Sequence, residues 1–198
     1  MTDARRHPYT LAHHVATAIV EHLRPACQRI EIAGSLRRRR DLVHDIDLVL
    51  IPRTERVQAP QRGLFAETDT VEQRAIDRAL TDLQDAGRIS GLALAGKIIR
   101  FTATKSDIPI DLYLANESTW ATILLIRTGS KEHNIYLAAL ARRRGMILKA
   151  DGTVLVDQRT GKAAGSFREE ADLFKFLGLR YVHPEAREIG IEAEGIAS

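Results

Sequence analysis

The chain has 198 residues, a formal net charge of +3 and a sequence pI near 9.2, which is length enough for one large domain or two small ones with a sizeable core. A single cysteine, Cys27, excludes an internal disulfide framework and fits a reducing compartment; with no leader-like or membrane-length apolar stretch, a cytoplasmic location is expected. The mild basicity fits an anionic partner, and arginines gather at Arg37 to Arg40 and at Arg142 to Arg144, patches that either track a phosphate backbone or are solvated helix faces.

Between Thr10 and Arg24, Leu11, Val15, Ile19 and Leu23 recur at helical spacing, with Thr10 as N-cap and Pro25 at the end, predicting an amphipathic helix. The run "RIEIAG" predicts a short strand, and "DIDLVLI" a second one, apolar on both faces and therefore central. Arg53 to Gly63, rich in Pro, Gln, Arg and Gly, predicts a loop. A Thr70-x-x-Gln73 box, an apolar side of Val71, Ile76, Ala79, Leu80 and Leu83, and Gly87 as a stop predict a helix from Thr70 to Ala86. Two strands, "KIIRFTA" and "IPIDLYLA", are expected to pair with the first sheet. After Asn116 the pattern turns helical: "STWATILLI" and "KEHNIYLAALARRR" are joined by "RTGS", and Gly145 closes the second. "MILKADGTVLV" predicts a hairpin turning at Asp151-Gly152, and Ser166 with Glu169 opens a helix through Phe176.

Side chains alternate along a strand, so Asp45 and Asp47 are expected to share a face, roughly 6 to 7 Å apart along the chain. Two such carboxylates raise each other's pKa or take up a cation. Asp111, which interrupts the apolar run of its strand, is the expected third; the bland alternative is an exposed strand-edge residue. Asp107, in a turn beside Lys105 and Ser106, is the runner-up. Three carboxylates favour a hard ion, Mg²⁺ or Mn²⁺, and two such ions about 4 Å apart serve in-line phosphoryl displacement. Gly34-Ser35 adds a strand-exit turn whose free N–H groups suit phosphate oxygens, with an arginine just downstream to fork onto one.

The run from Gly34 to Asp47 resembles the Gly-Ser…Arg…Asp-x-Asp signature of the nucleotidyltransferase superfamily, with the spacing of the family X DNA polymerases. "RTGSKEHN" resembles the Thr-Gly-Ser…Asn segment of that family's thumb, and "EEADLFKFLGLRYVHPEARE" its closing helix and Pro-Glu-x-Arg end, so the resemblance covers most of residues 30 to 188. It implies an α+β fold: a nucleotidyltransferase palm with a mixed β-sheet and helices over residues 1–115, including the N-terminal helix, then a small α/β thumb over 116–198, on the plan of the smallest viral or phage-like members. It also implies that Asp45, Asp47 and Asp111 are the catalytic residues and bind two Mg²⁺ or Mn²⁺ ions, Asp111 being nearest the primer 3′ hydroxyl. Gly34, Ser35 and Arg38 would then hold nucleotide phosphates, Thr128, Gly129 and Ser130 would lie against the sugar, and Asn134 would reach the base's minor-groove edge.

The implied activity is template-directed addition of one or a few nucleotides to a primer at gapped, nicked or broken DNA in repair, by a monomer acting on primer-template and nucleoside triphosphate. Arg142, Arg143 and Arg144, with a basic loop around Arg53, Arg56 and Arg62, are expected to contact the DNA backbone. The rivals are a template-independent nucleotidyltransferase acting on RNA or a small acceptor, and a non-catalytic nucleic-acid-binding module. The thumb segment argues against the first, and three clustered acids, repelling nucleic acid without a metal, argue against the second. The chain departs from the family at Ile126-Arg127, where an aromatic pair is common and one member excludes a ribose 2′ hydroxyl. It departs too at His44 for a glycine, at Pro109 for an arginine that supports the third aspartate, and at Ala138 for an arginine that checks the template pair, implying low fidelity. His13, His14 and His22 read as structural or solvated, Trp120 and Tyr113 as core, and Cys27 as an inert small residue.

Overall fold

The computed structural model describes residues 5–58, 70–157 and 160–188. In chain order its elements are β1 (His7–Pro8), α1 (Tyr9–Leu23), β2 (Cys27–Ile32), α2 (Gly34–Arg37), β3 (Leu42–Val43), β4 (Ile46–Pro52), β5 (Thr54–Gln58), β6 (Thr70–Arg74), α3 (Ala75–Asp85), β7 (Ile89–Ala93), β8 (Ile98–Ala103) and β9 (Ile108–Leu114). There follow α4 (Trp120–Thr128), α5 (Lys131–Arg143), β10 (Ile147–Leu148), β11 (Val154–Asp157), β12 (Lys162–Ala163) and α6 (Glu170–Phe176). The fold is α+β, and its centre is a five-stranded mixed sheet in the order β2-β4-β9-β8-β7. Only β4 and β9 run parallel; the other pairs of that sheet are antiparallel.

The alternation written into β4 decides how the layers form. Ile46, Leu48 and Leu50 point to one face, where they meet Ala16, Ile19 and Leu23 of α1 and Ile76, Leu80 and Leu83 of α3. Val49 and Ile51 point to the other, joining Tyr113, the buried side of α4, and Leu173 and Phe174 of α6. Central strands apolar on both faces are what a sheet covered by helices on each side requires. The second cluster therefore draws on residues from both sides of residue 116. Among the described residues no helix is long and apolar enough to cross a membrane.

Several expectations need correction. The first helix buries Ile19 and Leu23 as expected, together with Ala12, Ala16 and Val20, but leaves Leu11 41% exposed, because alanines form the buried side of its first turns; its N-cap is Pro8, not Thr10. Asp45 lies in a bend before β4 rather than in the strand. Thr54–Gln58 is a strand rather than a loop, and it pairs antiparallel with Thr70–Arg74, a segment expected to begin a helix. The β-branched residues of that segment favour the ladder, and α3 begins only at Ala75, with Arg74 at its N-cap. The rest of the expected loop, residues 59–63 including Arg62, lies outside the described residues. α3 does end at Gly87, which adopts φ +65° while Arg88 N–H closes onto the Leu83 carbonyl at 3.0 Å. The last helix is opened by Glu169 and Asp172, not by Ser166: each side chain of this capping box caps the other's backbone. β7 and β12 are strands beyond those expected.

Candidate active site

The parallel register of β4 and β9 sets Asp47 directly opposite Asp111. Both face the side of the sheet that carries Val49 and Tyr113, and Asp45 stands at the mouth of β4. On the antiparallel side of β9, Arg100 pairs with Asp111 in register, its Nε 3.4 Å from Oδ1. Tyr113, two residues along the same face, donates its hydroxyl to Asp111 Oδ2 at 3.2 Å. Gly34 opens the short α2 with φ +62°, and a Cβ there would lie 1.9 Å from Asp47 Oδ2. Only glycine lets this turn come so close to the carboxylate.

The carboxylates are short of positive charge. Burial, the Asp45 charge and Asp111 push Asp47 up to about 7, against a downward pull from the Tyr113 hydroxyl and Arg127. Burial and the Asp111 charge raise Asp45, which His44 partly offsets. Burial, then the charges of Asp47 and Asp111, raise Tyr113 as well, so its hydroxyl stays protonated and acts as a donor. Oxygen donors with excess negative charge are the chemistry that hard divalent ions take. The residues fit such ions, although among the described residues no three His, Cys, Asp or Glu side chains converge on one ion position, Asp111 being engaged by Arg100 and Tyr113. An open cleft of about 450 Å³ runs beside the edge, lined by Gly34, Ser35, Arg38, Asp45, Asp47 and Arg127 among others.

A second charged cluster ties α2 to the C-terminal elements. Arg37 makes a bidentate pair with Glu170, at 3.0 and 2.7 Å, and donates to Thr128 Oγ1 at 2.7 Å. Arg187, fully buried, adds a 2.7 Å bond to the same carboxylate and lies over the rings of Phe174 and Tyr181. Burial alone would raise Glu170, yet the two arginines outweigh it and hold it below its ordinary value. The Thr128-Gly129-Ser130 turn is fixed by this cluster: Ser130 N–H bonds the Arg187 carbonyl at 3.0 Å, and the Ser130 hydroxyl caps α5 by accepting from His133 N–H at 3.2 Å. The Gly129-Ser130 peptide is cis. His133 is fully buried, and burial followed by the Arg187 charge lowers it to about 4.

Of the expected nucleotide-binding residues, Gly34, Ser35 and Arg38 line the cleft, whereas Thr128, Gly129 and Ser130 are buried and Asn134 is half-buried. Arg38 is not free: its Nε bonds Glu188 at 2.6 Å, and its guanidinium also donates to the Thr128 carbonyl. Asn134 donates its amide to the Ile126 carbonyl at 2.7 Å, leaving its Oδ1 buried and unpartnered. Arg142 and Arg143 are exposed in the last turn of α5, whereas Arg144 reaches back to the Leu177 carbonyl. Arg53, just before β5, and Arg56, within it, are exposed. Trp120 is core, under the Arg29 guanidinium at 4.3 Å, and Cys27 is a buried thiol pushed up to about 11 mainly by burial. Tyr113, expected in the core, keeps its ring there but sends its hydroxyl into the site; its place two residues after Asp111 is the signal in the sequence. Arg37, Glu170 and Arg187 carry no such signal, because residues far apart in sequence meet there.

Residues 123–188 match the family model of the DNA polymerase beta thumb. The chain is 30% identical over 193 residues to the DNA polymerase/3′-5′ exonuclease PolX of Bacillus subtilis (strain 168), an alignment that takes in 96% of this chain and 30% of that relative.

Proposed function

We propose that this relative of the family X DNA polymerases, with a thumb of the DNA polymerase beta type, is a template-directed nucleotidyltransferase. It adds one or a few nucleotides to a primer 3′ hydroxyl at gapped, nicked or broken DNA in repair, as a cytoplasmic monomer. One observation carries this reading: Asp47 and Asp111 face each other on a parallel strand pair, with Asp45 beside them and too little positive charge for the three. Bound there, two Mg²⁺ or Mn²⁺ ions would supply activation of the attacking hydroxyl and charge neutralisation on the departing pyrophosphate.

The chain's own residues do the rest. Asp111, held at Oδ2 by Tyr113, accepts the primer hydroxyl proton on Oδ1 once that oxygen gives up its pairing with Arg100. Gly34 lets phosphates approach the backbone beside Asp47, Ser35 donates its hydroxyl, and Arg38 exchanges Glu188 for phosphate oxygens. The Thr128-Gly129-Ser130 turn, anchored through Arg37, Glu170 and Arg187, forms the wall under the sugar, and Asn134 reads the base edge. Arg142 and Arg143 hold the DNA backbone, while Arg144 serves the fold.

The test is primer extension on a one-nucleotide-gapped duplex, offering each dNTP and rNTP separately with Mg²⁺ or Mn²⁺, beside the Asp45→Ala protein. Templated addition that disappears in the variant is expected. Addition to an RNA end or small acceptor, with none on any DNA, would replace this reading with the template-independent one.

A further inference from the structure

Two of the four arginines that line the cleft are already engaged. Arg38 is bonded to Glu188 and to the Thr128 carbonyl, and the Nε of Arg40 lies 3.8 Å from the same glutamate. Arg6 is exposed. Arg127 differs from all of these. It is half-buried at the end of α4, with no carboxylate at ion-pair distance and no hydrogen-bond acceptor among the described residues, and its Nε is buried and unpartnered. Its one close partner is the Tyr113 ring, 4.1 Å below the guanidinium. That tyrosine is the residue whose hydroxyl holds Asp111, so stacking pins the cation at the carboxylate edge.

A pinned guanidinium with unused donors beside a charge-deficient carboxylate cluster has two partners, one for each state of the site. In the metal-free protein it lines the same cleft as Asp47. Once divalent ions occupy the carboxylates, the attraction between guanidinium and carboxylate turns to repulsion between like charges, and the donors require an anion. The triphosphate that arrives with the ions supplies one. A planar fork of N–H groups matches phosphate oxygens, whereas a neutral sugar hydroxyl would leave its charge uncompensated. We propose that Arg127 is a nucleotide-binding residue: it stands in as a counter-charge to Asp47 in the metal-free protein and binds a phosphate oxygen of the incoming nucleotide once divalent ions take that place. This rests on the polymerase reading above, and it gives the Ile126-Arg127 departure a substrate role.

The test compares Arg127→Gln, which removes the charge, with Arg127→Lys, which keeps the charge but loses the fork. Mn²⁺ is titrated into each nucleotide-free protein, and pyrophosphate is titrated in the presence of Mn²⁺. The glutamine variant is expected to bind Mn²⁺ a few-fold more tightly and pyrophosphate about tenfold or more weakly, as loss of one charge-assisted contact implies. The lysine variant is expected to keep the original Mn²⁺ affinity. Unchanged affinity for both ligands in Arg127→Gln overturns the inference. So does an altered dNTP-to-rNTP ratio with pyrophosphate binding intact, which would make Arg127 a sugar contact. Asp47→Asn separates the two levels: if it still extends primers the polymerase reading fails, and if it is inactive while Arg127→Gln behaves as wild type only this inference fails.

Discussion

Glu170 and Asp47 are carboxylates withdrawn from water in one small protein, and their surroundings differ in sign. Glu170, 4% exposed, is gripped by Arg37 and Arg187 and lies below its ordinary pKa despite its burial. Asp47 has two further aspartates for neighbours, one unpaired arginine nearby, and a pKa pushed up to about 7. The first cluster brings its own counter-ions, two guanidiniums to one carboxylate, and locks α2 to the Thr128 turn. The second leaves its charge unbalanced, at the edge of an open cleft. Burial of charge without internal compensation costs stability, and that cost marks the site where ligand cations are expected.

The largest effect should come from the uncompensated side. Asp47→Asn is expected to reduce primer extension by on the order of a thousandfold while leaving the metal-free thermal midpoint unchanged or higher, since it removes a repelling charge. A fall in both activity and stability would make Asp47 a structural residue and erase the contrast. On the compensated side, Glu170→Ala leaves fully buried Arg187 without its carboxylate, and denaturant unfolding should show a loss of about 3–5 kcal/mol. A loss below about 1 kcal/mol, roughly the worth of a surface pair, would mean that the cluster does not hold α2 to the C-terminal elements.

How much of this could be read from the sequence depends on range. Strands β4 and β9, and the aspartates Asp47 and Asp111 within them, follow from local alternation, since a carboxylate that interrupts an apolar run stands out against the strand pattern. The Glu170 cluster could not be read that way: Arg37 and Glu170 are 133 residues apart and meet only when the last helix docks. The engagement of Arg38 by Glu188, 150 residues on, is hidden for the same reason. Misassigned elements were cases of competing local signals. Thr70 to Gln73 looks like a helix cap, but the partner strand at Thr54–Gln58 makes it a ladder.

The two regions should also respond to pH with opposite slopes. Asp47 has its folded pKa raised, so its contribution is intact below its unfolded value near 3.8 and is lost as pH rises toward about 7. Glu170 has its folded pKa lowered, so its contribution is present above the ordinary carboxylate range and lost as pH falls through the folded value. His133, held near 4, adds a loss on the acid side as pH drops below its unfolded value near 6.5. In metal-free thermal melts, the gap between Asp47→Asn and wild type should therefore widen with rising pH, and the gap between Glu170→Gln and wild type should narrow with falling pH. Parallel pH profiles for the three proteins would break the comparison.

The smallest effect concerns the outer surface. Arg142→Gln and Arg143→Gln are each expected to flatten the slope of log DNA affinity against log salt by about one, with the melting temperature unaffected. Arg144→Gln should do the reverse, costing stability through the Leu177 carbonyl and leaving the slope alone.

The most direct test of the contrast is calorimetric titration of Mn²⁺ into the metal-free wild-type, Asp47→Asn and Glu170→Gln proteins. The account predicts binding to the wild type, loss of that binding in Asp47→Asn, and wild-type affinity in Glu170→Gln. Undiminished Mn²⁺ binding by Asp47→Asn, or none by the folded wild type, would contradict it.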